Sequence, residues 1–392
     1  MPADRFTAEL RERHAQRSRD HLLRSRVCRA SSNGAEVVVD GRCYLNFASN
    51  DYLGLANHPK LIARLQEASA AYGVGSAASS LMSGYAEPHA RLEAEIAEFT
   101  GRERALVFSS GYLANLGVLP ALARRGDRVL ADRLNHASLL DAAVLARARL
   151  IRYPHCNVSA LRQRLKQAGD RRAFVVTDAV FSMDGDLAPL PELALAAAEY
   201  QAVLVVDDAH GIGVLGPGGR GTTAHLGLDL KDVPVLMGTF GKAFGVSGAF
   251  VAGPEAYIET VLQGARTYIY TTAMPAALAE TIREALVLVR TETQRREHLF
   301  ASVNRLRAGA PALGLPLAPS CTPIQPVILG TSETALKVSA ALRERGLLVP
   351  AIRPPTVPEG TARLRISLTA DHSEAQIDRL LTSLDQTRAL WA

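Results

Sequence analysis

A chain of 392 residues, 48% of them hydrophobic, carries enough apolar material for a large core and more than one domain. Its 44 basic and 39 acidic side chains leave a net charge of +5, scattered without the basic block or interleaved aromatics that would point to nucleic acid. No run of about 18 apolar residues is present to span a bilayer, and the arginine-rich start lacks a signal peptide's apolar core, so the reading is a cytoplasmic chain with no membrane partner.

Residues 3–24 read as a charged, weakly amphipathic arm. Glu36–Asp40 and Arg42–Phe47 then flank Asp40-Gly41, a hairpin turn signal. From about residue 87 helices alternate with apolar, β-branched strands. Helices are predicted at 88–100, 111–123, 137–148, 158–168 and 190–200, and strands at 105–108, 128–131, 150–153, 173–177 and 203–206. Such alternation predicts an α/β fold with an open, mostly parallel sheet covered on both faces. Two more apolar segments, 233–237 and 248–252, flank a loop containing Lys242. Beyond Pro275 a long helical run to about Arg307 leads into a smaller α/β segment with strands near 324–328, 347–350 and 363–368. The organisation read from this is an arm and hairpin over 1–50, a large domain over 51–285 and a small C-terminal domain over 286–392. Cysteines at 28, 43, 156 and 321 are too dispersed for a CxxC metal pair or a disulfide framework, and no metal is expected.

Leu204-Val-Val-Asp-Asp-Ala-His210 sets two carboxylates and a histidine at the end of a buried strand, where open α/β sheets bind ligands. Acids in such places also simply cap loops. The following Gly211-Ile-Gly213-Val-Leu-Gly216 fits a dinucleotide fingerprint, but Pro217-Gly218-Gly219 denies it the helix that it needs. Gly238-Thr-Phe-Gly-Lys242-Ala-Phe-Gly245 hems one lysine among small residues. A desolvated amine of that kind attacks aldehydes, although a lysine paired with a carboxylate is often structural. Asp207 tips the reading, because an electron-sink cofactor such as pyridoxal phosphate needs a buried carboxylate on its ring nitrogen.

Together the motifs Asn50-Asp-Tyr-Leu-Gly54, Ser83-Gly-Tyr85, Asn135-His-Ala-Ser138, Phe181-Ser-Met-Asp-Gly-Asp186, Asp207-Asp-Ala-His-Gly211, Thr239-Phe-Gly-Lys242 and Tyr270-Thr-Thr272 resemble the α-oxoamine synthase family. The resemblance spans nearly the whole chain and implies the fold of fold-type I pyridoxal phosphate enzymes: a large, mostly parallel sheet plus a smaller C-terminal α/β domain. It implies that Lys242 carries the cofactor and then removes the substrate's α-proton, that His136 stacks on the ring, and that Asp207 pairs with the ring nitrogen. Ser182 and His210 would bond the phenolic oxygen. Gly111, Tyr112 and Thr239 would hold the phosphate, and Thr272 would reach the phosphate of a neighbouring subunit in a homodimer with shared sites. Arg353 would clamp the amino acid's carboxylate, with Arg24, Asn50 and Thr356 at the substrate entrance.

Ala351-Ile-Arg-Pro-Pro-Thr-Val-Pro358 resembles the biotin-pathway branch of the family more than its glycine-using relatives. That branch implies L-alanine and a pimeloyl thioester, on coenzyme A or an acyl carrier protein, in a decarboxylative condensation. Two departures from the family pattern stand out: Ala77-Ala78 where glycine is common, and Asp178 where a glutamate is expected. Rival readings are a sibling synthase using glycine or serine, an aldolase or aminotransferase on the same fold, and a non-catalytic nucleotide or cofactor scaffold.

Overall fold

A computed structural model describes residues 2–169 and 171–391. Two compact units emerge. The larger takes 51–182 and 186–297, and the other takes the segment up to Asn50, 183–185 and the segment from His298 onward. The N-terminal hairpin thus groups with C-terminal sequence. The units part at residues 297 and 298, whereas residue 285, where the boundary was expected, lies inside the helix Ala276–Thr291.

The chain opens with a helix over Pro2–Arg19, then β1 (Glu36–Val39) and β2 (Arg42–Asn46), paired antiparallel with Val39 opposite Arg42. Asp40 (φ 51) and Gly41 (φ 75) both take the left-handed backbone that a tight hairpin turn requires.

Seven strands form the sheet of the larger unit: β3 (Arg104–Phe108), β4 (Arg128–Asp132), β5 (Arg149–Tyr153), β6 (Ala173–Asp178), β7 (Val203–Asp207), β8 (Val235–Thr239) and β9 (Ala249–Gly253). Their spatial order is β3-β9-β8-β7-β6-β4-β5, and only β9 runs against its neighbours. Side chains alternate between two cores. Along β6, Phe174 and Val176 pack with the helices Gly111–Leu122, Ala137–Leu145 and Glu255–Gly264, while Ala173 and Val175 pack with Val158–Lys166 and Leu190–Glu199. Covering both faces is why these strands read as continuous apolar runs. Each fully buried Val, Leu or Phe contributes about 1.5–3 kcal/mol, which fixes the register firmly. Because β3, β4, β6, β7 and β8 point the same way, their carboxyl ends line one edge of the sheet.

Several elements differ from the expectation. The helix after Asn135 stops at Leu145 because Arg147 adopts a left-handed backbone (φ 53) to turn into β5. The long run after Pro275 breaks at Glu292 into Ala276–Thr291 and Thr293–Gly309. Glu292 leaves helical geometry and ties its carboxylate to Arg295 at 2.7 Å and His58 at 3.4 Å.

In the other unit β10 (Ile324–Gly330), β12 (Ala351–Ile352) and β13 (Ala362–Ser367) form an antiparallel sheet, and β11 (Leu347–Leu348) pairs in parallel with β2. Of the strand expected at 347–350 only Leu347–Leu348 is extended in a ladder, and β12 follows at 351 in a different sheet. Pro350, which has no N–H to give a ladder, marks the break. All four cysteines are free. Among the described residues no helix is long and apolar enough to cross a membrane.

Candidate active site

A cavity of about 510 Å³ opens at the carboxyl edge of the large sheet, lined by Gly111, Tyr112, Asn115, His136, Ser138, Asp178, Asp207, Ala209, His210, Met237, Thr239 and Lys242. Sheet geometry gathers them, since β6 ends in Asp178, β7 in Asp207 and β8 in Thr239, with Lys242 in the loop beyond. A separate surface cavity bounded by Arg64, Glu95, Glu280 and Arg283 is a salt-bridged charge network.

Asp207 is 4% exposed, so its carboxylate must be hydrogen-bonded. Asn115 Nδ2 donates to Oδ2 at 2.7 Å and the Ala209 N–H to Oδ1 at 3.0 Å. Asn115 Nδ2 also donates to Ser138 Oγ at 2.9 Å, and Ser138 Oγ stands 2.7 Å from His136 Nδ1. The Ser138 N–H, 3.3 Å away, points at the same nitrogen, which makes Nδ1 an acceptor and places the ring proton of a neutral His136 on Nε2. Thus His136 is both the cap of the helix Ala137–Leu145 and a wall of the cavity. Its outer face is open to the cavity, yet burial of its inner edge lowers its pKa below the ordinary histidine value, against the opposing charges of Asp207 and Asp141.

Asp178 is buried and accepts the His136 N–H at 2.7 Å. Desolvation first, and the charge of Asp207 second, raise its pKa well above the usual carboxyl range. The shortened acid therefore reaches the backbone of His136. Next door, Asp208 faces away from Asp207's partners and accepts the Thr222 N–H and hydroxyl at 2.7 and 2.6 Å. A Cβ on Gly211 or Gly221 would fall 2.1 or 2.2 Å from that carboxylate, so these glycines make room for Asp208. A 3₁₀ turn over Pro217–Gly219 follows directly, and the next helix, Thr222–His225, is a single turn, which agrees with reading the glycine run as a loop.

Lys242 is half-buried, and its Nζ lies 2.7 Å from His210 Nε2. Thr239 Oγ1 donates to the Gly248 carbonyl at 2.8 Å and accepts the Gly241 N–H at 3.2 Å, which shapes the loop between β8 and β9. Ser110 caps the helix Gly111–Leu122, and the N–H groups of Gly111 and Tyr112 stand in its first turn, where no intrahelical carbonyl can take them. These groups fit pyridoxal phosphate. A fixed anion suits a ring nitrogen, a primary amine an aldehyde, and a helix N-terminus beside a hydroxyl a phosphate.

Not every expected residue lines this cavity. Ser182 is half-buried in the turn between Phe181 and Asp186. His155 secures that turn, bonding Asp132 at 2.9 Å and Asp186 at 2.8 Å and stacking edge-on against Phe181. Burial opposes the charge on His155, but the bonds to Asp132 and Asp186 outweigh it and push its pKa up to about 12. Thr272 is exposed and bridges to Ser79.

Arg24, Asn50, Arg353 and Thr356 belong to the other unit. There Arg365 donates to Asn50 Oδ1 at 3.1 Å, and Arg24 donates to Thr356 Oγ1 at 3.2 Å. Arg353 spends its donors on the carbonyls of His21 and Leu23. Burial, and then the charge of Arg24, lower the Arg353 pKa, so two guanidiniums repel each other with no carboxylate pairing with either among the described residues. Such a pair suits an anionic ligand.

Sequence reasoning assigned no role to Asn115, Ser138 or Tyr52. A single polar side chain in the apolar stretch Gly111–Leu122 was the available signal for Asn115. Tyr52 and Ser138 lie inside motifs that carry the family resemblance, with no sequence neighbour to mark them as hydrogen-bond partners.

The aminotransferase class I and II family model matches residues 42–384. An 8-amino-7-oxononanoate synthase of Thioalkalivibrio sulfidiphilus is 57% identical over 382 residues, covering 97% of each chain. One from Stutzerimonas stutzeri is 57% identical over 385 residues, covering 98% of each. Among solved structures, a serine palmitoyltransferase variant from S. paucimobilis with a bound PLP–myriocin aldimine superposes with a TM-score of 0.92 at 31% identity, over 97% of both chains. The cofactor of the present chain is pyridoxal phosphate, and the chain belongs to the aminotransferase class I and II family and, within it, to the 8-amino-7-oxononanoate synthases.

Proposed function

We propose that this enzyme is a pyridoxal phosphate-dependent acyltransferase that condenses L-alanine with a pimeloyl thioester, carried by coenzyme A or an acyl carrier protein. The products are 8-amino-7-oxononanoate, carbon dioxide and the free thiol, a step of biotin formation. The observation that carries the reading is the pairing of Lys242 with a donor-clamped Asp207 in one cavity, in a chain 57% identical to synthases of that name.

Bound pyridoxal phosphate supplies a protonated ring that stabilises negative charge at the amino acid's α-carbon. Asp207, fixed by Asn115 and the Ala209 N–H, holds the ring nitrogen protonated. Lys242 would carry the cofactor, and its Nζ would take the α-proton of alanine. His136, in the cavity wall, would lie against the cofactor and shield the α-carbon from stray protonation. Gly111, Tyr112 and Thr239 would hold the phosphate, and Ser182 and His210 the phenolic oxygen. Arg353 takes the alanine carboxylate, with Arg24, Asn50 and Thr356 beside it. In a homodimer, Thr272 would reach the neighbouring subunit's phosphate.

Steady-state thiol release with L-alanine, glycine and L-serine against pimeloyl-CoA, pimeloyl-carrier protein and shorter acyl thioesters tests the reading. Turnover with alanine and a pimeloyl donor is the expected result. No turnover with alanine overturns it in favour of a sibling synthase, and transamination of a keto acid without a thioester would do so in favour of an aminotransferase.

A further inference from the structure

Tyr52 is fully buried, with its hydroxyl 2.7 Å from His210 Nδ1, while His210 Nε2 stands 2.7 Å from Lys242 Nζ. Three segments hold this chain of contacts. Asp51 accepts the N–H groups of Leu55 and Ala56 at 2.9 and 3.0 Å, closing the turn that carries Tyr52. Gly245 (φ 69) meets that turn backbone to backbone, since a Cβ there would fall 2.4 Å from Ala56 N. His210 follows β7, and Lys242 follows β8.

Hydrogen-bond chemistry then fixes a direction. An ammonium on Lys242 has only N–H groups to offer, so His210 Nε2 must be the acceptor. A neutral imidazole accepting at Nε2 carries its proton on Nδ1, where Tyr52 Oη takes the bond. We propose that Tyr52 is a positioning residue for cofactor loading: its oxygen holds His210 in the Nδ1–H tautomer, so that Nε2 removes a proton from the Lys242 ammonium. One N–H bond on Nζ breaks, one forms on Nε2, and the electron pair left on Nζ is the nucleophile for the cofactor aldehyde. Charge is conserved as imidazolium replaces ammonium. Asp207 and Asp178 at the ends of β7 and β6, with His136 and Tyr112, are the other titratable groups lining the cavity among the described residues. The Asp207 carboxylate favours the ammonium, and His210 Nε2, 2.7 Å from Nζ, is placed to unload it.

This inference rests on Lys242 being the cofactor lysine, and the test separates the two claims. Full-length protein freed of cofactor is labelled with trinitrobenzenesulfonate across a range of pH, and modification of Lys242 is read by peptide mass spectrometry with exposed Lys166 as internal standard. In Tyr52→Phe the buried Nδ1–H loses its acceptor, so Lys242 labelling is expected to be about tenfold slower at neutral pH, with its profile displaced to higher pH. Equal rates and profiles in both proteins overturn the proposal. Should the variant fail to fold, ¹⁵N resonances of the His210 ring in the unaltered protein decide: Nδ1–H supports the relay and a neutral Nε2–H ring overturns it. Borohydride trapping of pyridoxal phosphate on a lysine other than Lys242 would instead overturn the cofactor assignment.

Discussion

Asp178 and Asp207 are Cα partners on adjacent parallel strands, so two carboxyl groups finish side by side in one cavity. Burial, and then the charge of Asp207, raise the Asp178 pKa well above the usual carboxyl range, so Asp178 holds its proton more readily than an exposed acid does. A neutral amide should then replace Asp178 at little cost, since its oxygen still accepts the His136 N–H. Cofactor affinity, followed by visible absorbance on titration with pyridoxal phosphate, is expected to change less than about threefold in Asp178→Asn. In Asp207→Asn it should weaken about ten- to a hundredfold, the range of a lost charge-assisted bond. Equal losses in both variants would mean that the charge of Asp178 is used.

Asn115 bonds both Asp207 and Ser138 through one amide nitrogen. Asn115→Ala removes a donor from a buried carboxylate, and about 1.5–3 kcal/mol of support for the charged form goes with it. Cofactor affinity should fall about tenfold or more. Asn115→Asp should be worse, because it sets a third acid against Asp207 and Asp178. An unchanged absorbance titration in Asn115→Ala would show that the Ala209 N–H suffices.

Much of this site was legible because its chemistry sits at strand ends. Asp207, Thr239 and Lys242 each follow an apolar β-branched run, and such a run in a parallel sheet announces where it stops. Partners that come from elsewhere were not legible. Asn115 lies on a helix and reaches Asp207 across 92 positions of sequence, a contact that only the packing of Gly111–Leu122 onto the sheet creates. The pairing of β11 with β2 is hidden for the same reason, because a two-residue strand has no period to detect and its partner lies some 300 residues away. Glu292 broke a helical pattern through side-chain pairing, which local propensity does not encode.

Among the described residues no acid pairs with Arg353 or Arg24, which predicts a binding role for an anion rather than a stabilising one. Arg353→Ala should raise KM for L-alanine at least about tenfold, while KM for the acyl thioester stays within about twofold. Arg353→Lys keeps the charge and loses the fork, so it should fall between the two. Equal increases in both KM values would assign Arg353 a structural task.

Asp208 gives the protein a titration that catalysis does not need. Its carboxyl is fully buried, and desolvation raises its pKa to about 7 although Thr222 bonds pull it down. In the unfolded chain an aspartate releases its proton near pH ~4. Between those values the folded state binds more protons than the unfolded one, so the free energy of unfolding falls as pH rises. The contribution is complete below about pH 4 and gone once pH passes about 7. Asparagine imitates the protonated acid, with one oxygen to accept the Thr222 N–H and one donor for the Thr222 hydroxyl. Asp208→Asn should therefore match the unaltered protein in acid and exceed it near pH ~8 by roughly 4 kcal/mol, the linkage equivalent of that displacement. Urea unfolding at each pH measures the difference. Parallel stability curves would mean that Asp208 is already ionised throughout the range, held by Thr222 more firmly than burial opposes it.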